Sequence, residues 1–232
     1  MLHDNIRVID VARELNVANS TAHRLLNTLQ LEGYVAQRPH SSKYFPGHCL
    51  IQLSRHINDE NTLAQIAMPH LSRLRDAVNE TVNLQILIGA EVLFLASAED
   101  QHQLRVATRS GTRSLAHATA GGKLLLAQLP VEELRRRISD HPDTLTSHTH
   151  AKIADLINEL AAIRKRGYSL NHGESDDGVN AIAVPVVNAQ GAVAAALSIA
   201  APASRLPDVR IPTVLPHLQQ TSTEITRSYF GL

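Results

Sequence analysis

Two short apolar periodicities near the start of the chain, separated by three residues, constrain its fold more than any other feature. Ala22, Leu25, Leu26 and Leu29 fall at i, i+3, i+4 and i+7, the spacing of one helical stripe, and the stripe is expected to be buried. The other face of that helix carries Ser20, Thr21, His23, Arg24, Asn27 and Thr28, short polar side chains and one guanidinium gathered in its first turns. Upstream, Val8, Ile9, Val11, Ala12 and Leu15 give a second stripe; Asn16-Val17-Ala18 connects the two, with Asn19 predicted as N-cap. Two short helices joined by such a turn form a helix-turn-helix, whose second helix meets base edges with its N-terminal end.

The residues that follow extend the pattern. Leu31 to Gln37 ends the helix near Gly33 and becomes extended, Arg38 to Ser42 turns, and Lys43 to Phe45 returns, predicting a small hairpin with basic residues to set on phosphate. An ordinary amphipathic helical hairpin followed by a β-turn is the plain alternative. The order of helix, turn, polar-faced helix and basic hairpin favours a winged DNA-binding unit.

At 232 residues, the chain has room for a small and a medium domain. Its 44% hydrophobic and 19% charged residues are those of a globular protein. No apolar run approaches the roughly 20 residues of a membrane span, and the first residues lack the regions of a signal peptide. A cytoplasmic location is expected, and the single Cys49 fits a reducing compartment. The formal net charge of zero argues against indiscriminate coating of nucleic acid. Up to His56 there are six Lys and Arg against four Asp and Glu, a weakly basic footprint that a dimer doubles.

Cys49 to about Ile66 reads as helix with a polar break at Asn58-Asp59-Glu60-Asn61, and Leu63 to Val78 as a second helix. Strand alternation follows in Thr81 to Leu87 and Val92 to Ala96, a hairpin about Gly89, with Leu104 to Thr108 a third candidate. Helices are predicted at Gly122 to Leu129, Val131 to Ile138 and Ile153 to Arg166. Strands then come at Ala181 to Val187 and Ala192 to Ala200, and a last helix at Val214 to Tyr229. Strand pairs interrupted by helices predict an α+β domain on a mostly antiparallel sheet.

Chemistry-bearing motifs are few. Gly121-Gly122-Lys123 fails as a phosphate-binding loop, because no glycine stands five residues before Gly122 and Leu124 replaces the Ser or Thr. There is no G-x-S-x-G and no Ser-x-x-Lys. His148 and His150 with His141 make a weak metal candidate without a spaced carboxylate, so no metal is expected. Glu174, Asp176 and Asp177 beside glycine read as a solvated turn. Ala120-Gly121-Gly122, where a loop enters a helix, either offers backbone N–H groups to a carboxylate or merely permits close packing.

Asn19 to Leu26 with Leu29, then Gly33-Tyr34-Val35, then Tyr44 and Gly47, resemble the winged helix-turn-helix of the IclR-type bacterial transcription regulators. Glu80 to Leu84, His117 to Ala127, Arg166-Gly167-Tyr168 and Gly178 to Val186 continue the resemblance in the family's order and spacing. It implies an N-terminal winged helix-turn-helix at 1–47, a linker helix at 48–62, and a larger GAF-like effector-binding and oligomerisation domain at 63–232. Relatives carry a further helix before Val8, which Met1 to Asn5 is too short to supply, so an upstream native start is expected.

By the same resemblance, Val106, Ser114, Ala120, Gly121, Asn171, Val179 and Ala181 line an effector pocket. Asn171 stands where some relatives have an acid and Ala181 where some have a thiol, implying a roomier, less charged pocket suited to an aromatic or medium-sized acid. Arg105 and Arg109 are candidates to neutralise it. The reading is a regulator, not an enzyme and without cofactor, that binds double-stranded operator DNA as a homodimer or homotetramer through Ser20, Thr21, His23, Arg24 and Asn27, with Arg38 and Lys43 on phosphates. It answers to a small organic acid and involves no membrane. The alternative is a metabolite-binding module or enzyme whose N-terminal helices mediate protein contacts.

Overall fold

A computed structural model describes residues 6–37 and 41–231, with the backbone alone described along 51–62. The chain divides into two compact units, Met1–Asn61 and Thr62–Leu232.

In the first unit, strand β1 (Ile6–Arg7) leads into helix α1 (Val8–Glu14), and helix α2 (Asn19–Leu31) follows after a turn. Asn16 makes that turn with φ of 52°, a left-handed conformation that Asn tolerates better than most residues. Strands β2 (Val35–Gln37) and β3 (Lys43–Pro46) form the wing, and β1 pairs with the outer side of β3, giving the order β1-β3-β2. Gly33 and Gly47 close its base. Gly47 N–H donates to Tyr34 O at 2.8 Å and Cys49 N–H to Gly33 O at 3.1 Å, and a Cβ on either glycine would collide, with the His48 ring or with Gly33 O.

The structure departs from three expectations. Of the α2 stripe only Ala22 and Leu26 are buried, while Leu25 and Leu29 are exposed because the short α1 and the wing cover one edge of it. The N-cap is Ala18, with Asn19 already inside the helix. The predicted polar break is also absent: one helix, α3 (His48–Val78), runs unbroken for 31 residues through Asn58–Asn61.

The second unit is built on a six-stranded antiparallel sheet. Its strands are β4 (Thr81–Ile88), β5 (Glu91–Ala98), β6 (Arg113–Leu115), β7 (Ser169–His172), β8 (Val179–Val187) and β9 (Val193–Pro202), in the order β6-β5-β4-β9-β8-β7 among the described residues. The predicted strand at Leu104 to Thr108 is irregular; its place at the sheet edge is taken by β6, paired with β5. Strand β7 has no counterpart among the predicted elements.

Alternation gives the sheet two unlike faces. Val82, Leu84, Ile182, Val184, Leu197 and Ile199 point to one side, where Leu71, Leu74 and Val78 of α3 and Val214, Leu218 and Ile225 of helix α7 (Ile211–Phe230) cover them. The other face is built of small residues, Ala183 and Ala196, together with Val92 and Phe94. Against it pack helices α4 (Ala120–Leu126), α5 (Val131–Arg137) and α6 (Ile153–Arg166), through Leu124, Leu134, Leu156 and Leu160. Small side chains bring the backbone of α4 close, and the unlike faces decide where a cleft can open.

Candidate functional site

The first unit presents a polar helix face. Ser20, His23, Arg24 and Asn27 of α2 are exposed and Thr21 is half-buried, all within the first three turns. Asn27 Nδ2 lies 3.4 Å from His23 Nδ1, joining the two side chains into one surface, and among the described residues nothing pairs with the Arg24 guanidinium. Lys43 is exposed at the start of β3, its N–H held by Ser41 Oγ at 3.1 Å. Arg38 lies outside the described residues. A guanidinium without an internal partner on the leading end of such a helix is free to make a bidentate contact with a guanine edge.

In the second unit a small cleft of about 30 Å³ opens between the small-residue face of the sheet and the start of α4. Val106, Ala120, Gly121, Asn171, Val179 and Ala181 all line it. Ser114 does not: it sits on edge strand β6 opposite Val92. Of the two arginines, Arg109 reaches the cleft, ion-paired with Asp176 and lying 5.8 Å from the Phe94 ring centroid. Arg105 is turned away to pair with Glu99.

Asn83, Gln85, Phe94, Thr119, Ser175 and Ser198 also line the cleft. A slip of register puts two of them together: Leu84 faces Ala96 but Gln85 faces Phe94, so Leu95 is an extra residue that turns Phe94 to the cleft side. Asn83 and Gln85 were legible as the polar half of an alternating strand, where two amides facing an interior layer are themselves a signal. The slip was not.

Both glycines at the start of α4 are set by close approach. A Cβ on Gly121 would run into Gln85 Oε1 and one on Gly122 into the Ala116 backbone. Thr119 Oγ1 accepts the Gly122 N–H at 3.0 Å, so of the amides expected to face a ligand that one is already taken.

Beneath the cleft lies a buried ionic cluster. Lys123, whose side chain is 0% exposed, donates from Nζ to Glu159 Oε1 at 2.7 Å and to Glu174 Oε1 at 2.6 Å, and His150 bonds the other oxygen of Glu159. Glu174 is therefore not part of a solvated turn. Its carbonyl accepts from Thr149 Oγ1 at 2.6 Å, and its N–H donates to Asn171 Oδ1 at 3.1 Å, which fastens the segment bearing Ser175 and Asp176. His150, Glu159 and Glu174 place ligand atoms within 4.8 Å of one another, but the cation among them is the Lys123 ammonium. His141 and His148 take no part in it. Burial alone would raise the Glu159 carboxyl; the His150 hydrogen bond and the Lys123 charge outweigh it and bring it to about 2. The Glu159 bond in turn raises His150 above 6.5. A lone lysine in the apolar run Ala120 to Ala127 was the sequence signal for this cluster.

A winged helix-turn-helix with an exposed polar helix face in one unit and a cleft lined by polar and small residues in the other point to a DNA-binding transcription regulator with an effector-binding domain. Residues 3–39 match the IclR helix-turn-helix domain, and residues 56–227 match the bacterial transcriptional regulator IclR C-terminal domain. The chain belongs to the IclR family of bacterial transcriptional regulators. It is 33% identical over 224 residues to the HTH-type transcriptional regulator XynR of Escherichia coli, covering 96% of this chain and 89% of that one. The crystal structure of the Thermotoga maritima IclR superposes with a TM-score of 0.68 at 27% identity, over 97% of this chain and 91% of that one. An IclR homolog from Microbacterium hydrocarbonoxydans, solved in complex with 4-hydroxybenzoate, gives 0.69 at 25% identity, over 100% and 94%. These relatives are regulators, and the enzyme alternative falls with them. Among the described residues no helix is long and apolar enough to cross a membrane.

Proposed function

We propose that the chain binds operator DNA in the cytoplasm as a homodimer or homotetramer, and that a small organic acid in the cleft shifts it between arrangements of unlike DNA affinity. Residues 1–47 form the DNA-binding part, 48–62 the linker, and 63–232 the effector and oligomerisation part. The observation that carries the effector reading is the cleft itself, whose lining includes Phe94, Arg109, Ala120 and Gly121. A ring and a carboxylate suit those walls, and the 4-hydroxybenzoate complex of the Microbacterium homolog supports an aromatic acid. The effector acts through differential affinity, with no chemistry.

Ser20, Thr21, His23, Arg24 and Asn27 read the major groove, Arg24 being best placed for guanine, while Arg38 and Lys43 set the wing on phosphate. Two chains present their α2 helices to half-sites about one helical turn, or a multiple of it, apart. Fluorescence anisotropy of labelled DNA from immediately upstream of the gene, at two salt concentrations and beside a scrambled fragment, tests this. Selective binding that weakens with salt is expected. Equal binding of both fragments would sink the regulator reading for this chain.

A further inference from the structure

Most of the polar groups lining the cleft are committed to the protein. Asn83 Oδ1 accepts from Ser97 Oγ at 2.7 Å; Asn171 donates to Ala118 O at 2.7 Å and accepts from Glu174 N–H; Thr119 Oγ1 holds the Gly122 N–H; and Arg109 is paired with Asp176. Among the described residues Ser175, Ser198 and Gln85 carry no such bond, and of these three only Gln85 has a fully buried polar atom left without a partner. Its side chain is buried, the residue being 3% exposed, and its Oε1 has no hydrogen-bond partner among the described residues. It occupies the space left by the missing Cβ of Gly121, beside Phe94, which the slip in β5 has turned to the same side.

An amide acceptor buried without a partner is costly, and where it borders a cleft a ligand that bonds it removes that cost. We infer that Gln85 is a specificity-determining residue of the cleft, and that the effector is a small acid bearing a hydroxyl group that bonds the Gln85 amide. The inference rests on the effector reading above and narrows it. A hydroxyl is the fitting group because it both donates and accepts. The terminal torsion of glutamine is soft, so the amide turns either Oε1 or Nε2 to the cleft without disturbing β4. A second carboxylate would serve only the Nε2 orientation. An ammonium group would meet Arg109.

Isothermal titration of the full chain with benzoate, 3-hydroxybenzoate and 4-hydroxybenzoate tests this. At least one hydroxybenzoate is expected to bind about tenfold tighter than benzoate, or more. In Gln85→Leu the ratio of hydroxybenzoate to benzoate affinity should fall to about one, whatever the absolute affinities become. Gln85→Met, of similar length and flexibility, is the second variant, and circular dichroism checks that both are folded. Equal binding of the three acids by the wild type overturns the assignment without any variant, as does a hydroxyl preference that survives in Gln85→Leu or Gln85→Met. Binding of none of them by the wild type fails at the earlier step and overturns the aromatic-acid reading together with this one.

Discussion

The two units bury apolar surface to very different degrees. Among the described residues of the first, the buried hydrophobic ones are Ala12, Ala22, Leu26 and Tyr44, while Leu25 and Leu29 on α2 remain 43% and 42% exposed. In the second, Leu71, Leu84, Leu124, Leu134, Leu156, Leu160, Ile182, Leu197 and Ile199 are all fully buried. A unit of about 60 residues is marginal even with a full core. The contrast teaches a division of labour: the second unit shapes its cleft on a continuous core, whereas the described residues of the first bury few apolar side chains and leave most of α2 facing outward.

The comparison is tested hardest in the buried cluster. Lys123→Met leaves Glu174 without its partner in the interior and is expected to cost about 3–5 kcal/mol, read from urea unfolding followed on the second unit. A cost near zero would mean that the cluster is open to water. Next, Leu160→Ala on α6 should cost about 2–5 kcal/mol, whereas Leu25→Ala on α2 should stay within about 0.5–1 kcal/mol because that side chain is not packed. Equal losses in the two would erase the contrast.

Arg24→Ala should cost about 1–3 kcal/mol of specific DNA binding and relax selection at one base position, without moving the unfolding midpoint. Lys43→Ala should instead lower affinity for all sequences alike and reduce the salt slope by about one. Identical salt slopes in Lys43→Ala and the wild type would remove the wing from the phosphate contacts.

The smallest effect is one of pH. His150 is raised above its ordinary 6.5 by Glu159, so its contribution is complete below pH 6.5 and is lost as pH rises through the higher folded value. Glu159 runs the other way, contributing fully above 4.5 and losing that contribution as pH falls toward about 2. His150→Gln should flatten the upper limb of a melting-temperature profile. An unchanged upper limb would place the proton elsewhere.

The same contrast explains what the sequence disclosed. The second unit's long alternating strands and helical stripes were readable because each buried face repeats over many residues: Val82 and Leu84 against Asn83 and Gln85, or Leu156, Leu160 and Ile163 on α6. Short elements were not. β1 and β7 are two and four residues long, and Leu104 to Thr108 has a strand's composition but no neighbouring strand to pair with. On α2 the periodicity was legible, but the depth of burial was not, since that depends on how little of the stripe α1 covers.

The cleft was legible in part. Ala120, Gly121, Asn171, Val179 and Ala181 come together across three segments that the resemblance to relatives linked, and spacing alone would not have joined them. Gln85 and Phe94 depend on a one-residue slip in pairing, and the Lys123–Glu174 contact spans a separation no local pattern reports.

The most direct test of the central claim is the affinity of the full chain for its upstream DNA, measured by anisotropy with and without saturating acid from the benzoate and hydroxybenzoate series. A shift in operator affinity of several-fold, in either direction, is expected for the acid that binds best, and it should disappear for scrambled DNA. An acid that binds the cleft yet leaves operator affinity unchanged would contradict the coupling between the two units.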